Sequence, residues 1–449
     1  IDGENAVSTE FKAAGNNVIF IAAPRDKHEV IDFEILRKNL RALHKATISN
    51  KVASVGVIKE GGIAAAVSVM CLGNDLGFEF IKPFNDIDSL FTLQPGGFVV
   101  ELADGISPED LFADIEYINL GHLTTSKLIS LNETEITLDN ITSAYLKPLE
   151  TIFPRIVDAG AKVVEINQPL YKESLPLTAP YSIAKPRVFI PVFPGINCEY
   201  DTAAAFESAG GIAEVFVVRN LSAAAINDSI DTMVKMINNC QILMLPGGFS
   251  AGDEPDGSGK FIATMFRNNR IQDAVNSLLQ QRDGLMLGIC NGFQALIKLG
   301  LVPYGEIVDM SQESPTLTFN KIGRHVSQIV ETKIISNKSP WLNFVEPGDI
   351  HSVAVSHGEG RFYAPEAEIK RLFANGQIAT QYVDQNGEPT MKMPYNPNGS
   401  LYAIEGITSP DGRVFGKMGH SERYVPGLMK NINGNKDQKI FISGVKYFD

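Results

Sequence analysis

The stretch Gly284-Leu285-Met286-Leu287-Gly288-Ile289-Cys290-Asn291-Gly292-Phe293-Gln294 decides how this chain is read. An apolar strand runs straight into Gly-x-Cys-x-Gly, and Ala295-Leu296-Ile297-Lys298-Leu299 continues as helix. This is the cysteine form of a nucleophile elbow. The tight turn pushes its side chain out over the sheet edge, and the flanking glycines relieve the crowding. The helix N-terminus adds N–H groups and a positive dipole end, which favour an anionic sulfur. The N–H of Asn291 is expected to bind a developing oxyanion. Cys71, Cys198 and Cys240 lack such a setting and read as small buried hydrophobes.

Upstream, the periodicity predicts strand 187–192, helix 200–209, strand 213–218, helix 226–238, strand 241–245 and one helix over 259–281. This alternation implies an α/β fold with a doubly wound, mostly parallel sheet. Ligands then sit beyond the carboxyl ends of the strands, the edge that carries Cys290. The first part reads as a smaller α+β domain. It has strand 18–22, helix 32–49, strand 52–58, a helix opened by Gly61-Gly62, alternating strands 97–102 and 129–138, and a closing helix 144–153. Residues 167–186 carry four prolines without a clear period and read as a linker. The expected domains are therefore 1–166 and 187–449.

Composition narrows the function. Acids outnumber bases 52 to 39 in the 449 residues, a net charge of −13. That argues against nucleic acid or an anionic membrane as partner. The longest nearly apolar stretch, 61–73, is too short to span a bilayer. No signal peptide is visible at Ile1-Asp2-Gly3-Glu4, and four cysteines without C-x-x-C suggest a reducing, cytoplasmic setting. The histidines show no zinc-ligand spacing, so no metal is expected.

A thiolate nucleophile needs a base and a group that orients it. Two places offer one, His357-Gly358-Glu359 and His420-Ser421-Glu422. In an extended strand residues i and i+2 share a face, so either pair can lie side by side, and spacing alone does not choose. A second oxyanion donor is expected at Pro246-Gly247-Gly248-Phe249-Ser250, where a glycine pair lets backbone approach a ligand. The loop 251–257 reads as a mobile cover or a solvated turn. Cys290 in such a setting fits a thiolate hydrolase, such as a peptidase on the same sheet, or a docking module with an inert elbow.

These motifs, with His420-Ser421-Glu422-Arg423, resemble class I glutamine amidotransferase domains. Phe193-Pro194-Gly195-Ile196-Asn197-Cys198-Glu199, His357-Gly358-Glu359-Gly360-Arg361-Phe362 and Asn396-Pro397-Asn398-Gly399-Ser400 narrow the resemblance to the phosphoribosylformylglycinamidine synthase family. More loosely, Phe11 to Val18 and Glu60-Gly61-Gly62-Ile63-Ala64 resemble the C-terminal domain of aminoimidazole ribonucleotide synthetase-like proteins. The resemblance implies Cys290 as nucleophile, His420 as base and Glu422 as its partner. Gln294, Gly247 and Gly248 would hold glutamine, and His357 becomes a substrate-side residue. It also implies a synthetase part as partner, no cofactor for glutamine cleavage, and ATP and Mg bound outside this chain. Two departures stand out. The family's usual prolines beside the histidine are Gly419 and Ser421 here, which predicts a looser turn. Val57 and Lys59 replace an acidic residue and a serine, which leaves metal or phosphate binding by the first segment open.

Overall fold

The structure, a computed structural model, describes residues 6–83, 85–156, 168–172, 177–253 and 258–449. The expected boundary at 166, part of the proline-bearing stretch and residues 254–257 lie outside these. The chain divides into two compact units, Ile1–Pro154 with Gly427–Asn431, and Arg155–Pro426 with Ile432–Asp449.

The first unit holds strands β1 (Asn17–Ile21), β2 (Val52–Val57), β3 (Gly77–Phe80), β4 (Phe98–Leu102), β5 (Ile118–Thr124), β6 (Leu128–Leu131) and β7 (Thr134–Thr137). They form one sheet in the order β2-β4-β1-β5-β3-β6-β7, antiparallel except where β3 meets β6. Helices are α1 (Phe33–Ile48), α2 (Gly62–Leu72), α3 (Pro108–Phe112) and α4 (Leu138–Glu150). Strand alternation feeds two cores. Val18 and Phe20 pack with Val67 and Met70 of α2, whereas Ile19 and Ile21 pack with Leu43 of α1 and Phe112 of α3. The stretch 129–138 is a hairpin rather than one strand, turning at Asn132 with φ 53°. Thr137 then caps α4 by accepting the Asn140 N–H, so this helix starts earlier than its periodicity suggests.

The Phe11–Asn16 loop has a local cause. The fully buried Glu101 carboxylate accepts the Lys12 N–H at 2.9 Å, the Asn16 amide at 2.8 Å and the Ser54 hydroxyl at 2.7 Å. At the Gly61-Gly62 turn a Cβ on Gly62 would stand 2.4 Å from the Leu90 carbonyl oxygen and 2.8 Å from that of Thr92. The chain's own backbone approaches this turn so closely that only glycine fits there.

The second unit is built on a nine-stranded sheet. Its strands are β8 (Arg187–Val192), β9 (Ile212–Val217), β10 (Ile242–Leu245), β11 (Leu285–Ile289), β13 (Val326–Ile334), β14 (Ile350–His357), β16 (Ile378–Val383), β17 (Ile404–Thr408) and β18 (Val414–Lys417). A separate pair is β12 (Thr316–Thr318) with β15 (Arg361–Tyr363). The order is β14-β13-β16-β17-β18-β11-β10-β8-β9. The run from β18 to β9 is parallel, and the remaining strands attach antiparallel through β17. Helices are α5 (Glu199–Ser208), α6 (Ala223–Asn239), α7 (Lys260–Phe266), α8 (Asn269–Gln280), α9 (Asn291–Leu299), α10 (Leu301–Tyr304), α11 (Glu366–Ala374) and α12 (Ile440–Lys446). The single helix expected over 259–281 is two, because the Asn268 side chain caps α8 and interrupts the helical ladder. The described part of 167–186 is tied down rather than free. Tyr171 bridges Ser336, and the N–H groups of Ala179 and Ile183 donate to the carbonyls of Tyr447 and Phe448.

Candidate active site

β11 ends at Ile289 and α9 starts at Asn291, so Cys290 alone makes the turn, with φ 52° and ψ −105°. A side chain other than glycine rarely adopts this backbone, and such strain concentrates at functional sites. The surroundings hold it. The Cys290 N–H donates to the Lys417 carbonyl at 2.8 Å, and its carbonyl accepts the Gln294 N–H at 3.0 Å. Both flanking glycines are required by contact. A Cβ on Gly292 would lie 1.9 Å from the Leu245 carbonyl oxygen, and one on Gly288 would lie 2.5 Å from Leu296 Cδ1. The thiol, 4% exposed, points toward the Ser356 carbonyl at 3.6 Å.

His420 follows β18, the parallel neighbour of β11, which sets its imidazole close enough to Cys290 for the two to interact electrostatically. Its Nδ1 is 2.5 Å from Glu422 Oε1, and both side chains are withdrawn from solvent. The pair forms otherwise than a strand would form it. Residues 421–423 make a tight 3-10 turn with His420 at its head, which folds the carboxylate back onto the ring. Burial by itself would lower the His420 pKa. The Glu422 charge, the neighbouring Cys290 and the contact with Cys198 outweigh it, so the ring holds its proton well above the usual histidine range. Burial would lift the Glu422 pKa, but His420 and the more distant Lys417 ammonium hold it below the usual range.

The two glycine-rich loops meet beside this pair. Ile196 bridges Gly248, whose φ is 146°, and the Phe249 N–H donates to the Gly195 carbonyl at 2.8 Å. A Cβ on Gly247 would stand 2.7 Å from His420 Cε1 and 3.2 Å from Cys198 Sγ, so glycine is what lets the backbone reach the ring. Asn291 is buried, and its side chain accepts the Ser250 N–H and donates to Gln294. The Gln294 amide is engaged by the protein at both ends, since it also donates to the Glu359 carbonyl at 2.6 Å. Its placement suits bracing the loop that faces Cys290.

His357 and Glu359 do not pair. His357 Nδ1 meets Asn320 at 3.2 Å, its Nε2 has no hydrogen-bond partner among the described residues, and the Glu359 carboxylate accepts the Ser258 N–H. Burial, with His420 and His325 nearby, pushes the His357 pKa down to about 3. Asn398 and Ser400 both donate to the Gly360 carbonyl, so two motifs far apart in sequence form one braced loop.

Cys198 departs from its sequence reading. Its sulfur lies 4.0 Å from His420 Nδ1 and 3.2 Å from an Arg423 guanidinium nitrogen. Nothing in the local pattern around Cys198 announces this. The ligand atoms of Cys198, His420 and Glu422 lie within 4.8 Å of one another. They do not fit a metal ion, because His420 and Glu422 engage each other and Arg423 already places a cation against the sulfur. No helix among the described residues is long and apolar enough to cross a membrane.

Residues 185–448 match the model of a family described as a CobB/CobQ-like glutamine amidotransferase domain. A protein of Methanococcus maripaludis (strain C7), named phosphoribosylformylglycinamidine synthase subunit PurQ, is 37% identical over 239 residues, covering 53% of this chain and 82% of that one. The subunit of the same name from Aquifex aeolicus is 31% identical over 245 residues, covering 54% of this chain and 93% of that one. A solved structure of PurLQS from Thermotoga maritima aligns over 59% of this chain and 100% of its own, with 26% identity and a TM-score of 0.43.

Proposed function

The chain belongs to the CobB/CobQ-like glutamine amidotransferase family, and from that premise we propose that Cys290, His420 and Glu422 carry out its chemistry. The chain is a glutamine amidotransferase, the glutaminase component of phosphoribosylformylglycinamidine synthase in purine biosynthesis. The observation that supports the residue roles is a strained cysteine at the elbow near an imidazole that is itself paired with a buried carboxylate.

With the proton held on His420, Cys290 attacks the side-chain amide carbon of glutamine as the thiolate. N–H groups of Asn291 and of the Gly247-Gly248 backbone stabilise the oxyanion, each donor contributing about 10²–10³ in rate. His420 returns the proton to the departing ammonia, which leaves a γ-glutamyl thioester. Water, deprotonated by His420, then releases glutamate and restores the thiolate beside the charged imidazole. Glu422 holds the ring's orientation and stabilises its charged form. Proton transfer by His420 contributes about 10²–10⁴. None of these steps uses a cofactor.

The ammonia partner is a synthetase part that uses ATP and Mg at sites outside this chain. Residues 1–166 then serve as a structural domain, 167–186 as its connection and 187–449 as the glutaminase. The test is direct. Glutamate release from glutamine, and alkylation of Cys290 by a reactive glutamine analogue, should both vanish in Cys290→Ala. Undiminished turnover in that variant would overturn the assignment, as would amidine synthesis from ATP and ammonia by the protein alone.

A further inference from the structure

Between the strand that leads to His420 and its neighbour lies a buried ion pair that none of the chemistry above uses. Lys417 and Glu405 are each about 1% exposed or less, with Nζ 3.4 Å from Oε1. Two charges withdrawn from water are costly unless their remaining hydrogen-bonding capacity is met. Here it is met by one short stretch of backbone. Lys417 Nζ donates to the Gly419 carbonyl at 2.7 Å and to the Ser421 hydroxyl at 3.0 Å. Glu405 Oε1 accepts the Gly419 N–H at 2.6 Å, and its Oε2 accepts the Thr380 hydroxyl. Two of the three ammonium protons are thus placed in hydrogen bonds while the charge faces Glu405, and His420 is bracketed on both sides.

The same Lys417 reaches the nucleophile's side of the site. Its carbonyl accepts the Cys290 N–H at 2.8 Å. One residue therefore ties the backbone of Cys290 to the turn that presents His420. Beyond Ser421 the chain of contacts continues to Gln438 and from there to Thr332. Gly419 and Ser421, which stand where a looser turn is expected, are both bonded to the ion pair.

We infer that Lys417 and Glu405 are positioning residues for glutamine cleavage, acting by clamping Gly419 and Ser421 so that His420 stays aligned with Cys290. This rests on the proposed roles of Cys290 and His420. The groups that face His420 and Glu422 are Cys290, Cys198, His357, Arg423 and Lys417, of which Lys417 is a buried cation that favours the ionised Glu422.

The experiment measures kcat, KM and the pH profile of glutamine hydrolysis for Lys417→Met and Glu405→Gln, with thermal unfolding alongside. In both variants kcat should fall at least about 10-fold with KM changed less than about 3-fold. The acid limb of Lys417→Met should also move to higher pH, because losing the cation raises the pKa of Glu422. Glu405→Gln keeps an oxygen for the Gly419 N–H and is the milder variant if Lys417→Met does not fold. A Lys417→Met enzyme with wild-type kcat and an unmoved acid limb overturns the inference. So does a folded Glu405→Gln enzyme with wild-type kcat. Loss of glutaminase in Cys290→Ala stays a separate result, so failure of the clamp is distinguishable from failure of the nucleophile assignment.

Discussion

Nδ1 of His420 stands 2.5 Å from Oε1 of Glu422, and both side chains are shut away from solvent. A buried carboxylate at that distance orients the ring and favours its protonated form. Oε2 of the same carboxylate has no hydrogen-bond partner among the described residues, so its charge is balanced chiefly by the imidazole.

Glu422→Gln keeps the shape and removes the charge. Glutamine hydrolysis should drop by about 10²–10⁴ in kcat with little change in KM. Steady-state kinetics at saturating glutamine checks this, and a loss below about 10-fold would contradict the orienting role.

The same pair gives a stability signature. The Glu422 pKa is lowered from 4.5 on folding, so its contribution is present above that value and is lost as the pH falls through the folded value. The His420 pKa is raised from 6.5, so its contribution is full below that value and is lost as the pH rises through the folded one. The stability difference between wild type and Glu422→Gln should therefore be greatest between pH 4.5 and 6.5. Denaturant unfolding across pH measures it.

His357 should behave in the opposite sense to His420. With its pKa pushed down to about 3, the folded state resists a proton that the unfolded chain accepts near 6.5. Stability should fall as the pH drops from 6.5 toward 3, by at most about 1.4 kcal/mol per pH unit. His357→Gln should flatten that slope. The ring's NMR signals should show no titration between pH 5 and 8.

Two cysteines lie at the site, and they should respond differently. Cys290→Ser should abolish turnover, since the hydroxyl is a far weaker nucleophile at neutral pH. Cys198→Ser, which keeps a polar atom beside Arg423 and His420, should cost less than about 10-fold. Mass spectrometry after treatment with a glutamine-analogue alkylator should find the label on Cys290.

Gly292 should tolerate no side chain. A Cβ there would lie 1.9 Å from the Leu245 carbonyl oxygen, a backbone atom that cannot move without shifting β10. Gly292→Ala should lose at least about 2 kcal/mol or fail to fold, as read by thermal unfolding.

The elbow is legible in the sequence because its causes are local. An apolar strand, a cysteine between glycines and a helical run stand next to one another, and each glycine is required by a contact at its own position. The parallel half of the sheet is legible for a similar reason, since strand and helix periods alternate along the chain. The helix break at Asn268 and the hairpin at Asn132 escape periodicity, because a cap or a turn residue overrides it. Spacing does not separate His420-Ser421-Glu422 from His357-Gly358-Glu359; the family resemblance does, and the tertiary fold supplies the physical reason. Both have the same spacing, yet only His420 emerges from the strand beside β11 and bends back onto its carboxylate. Cys198 next to His420, and Lys417 reaching both Cys290 and Gly419, depend on strands and loops distant in sequence. A single residue's pattern carries no record of such neighbours, because the sheet's pairing order brings them together.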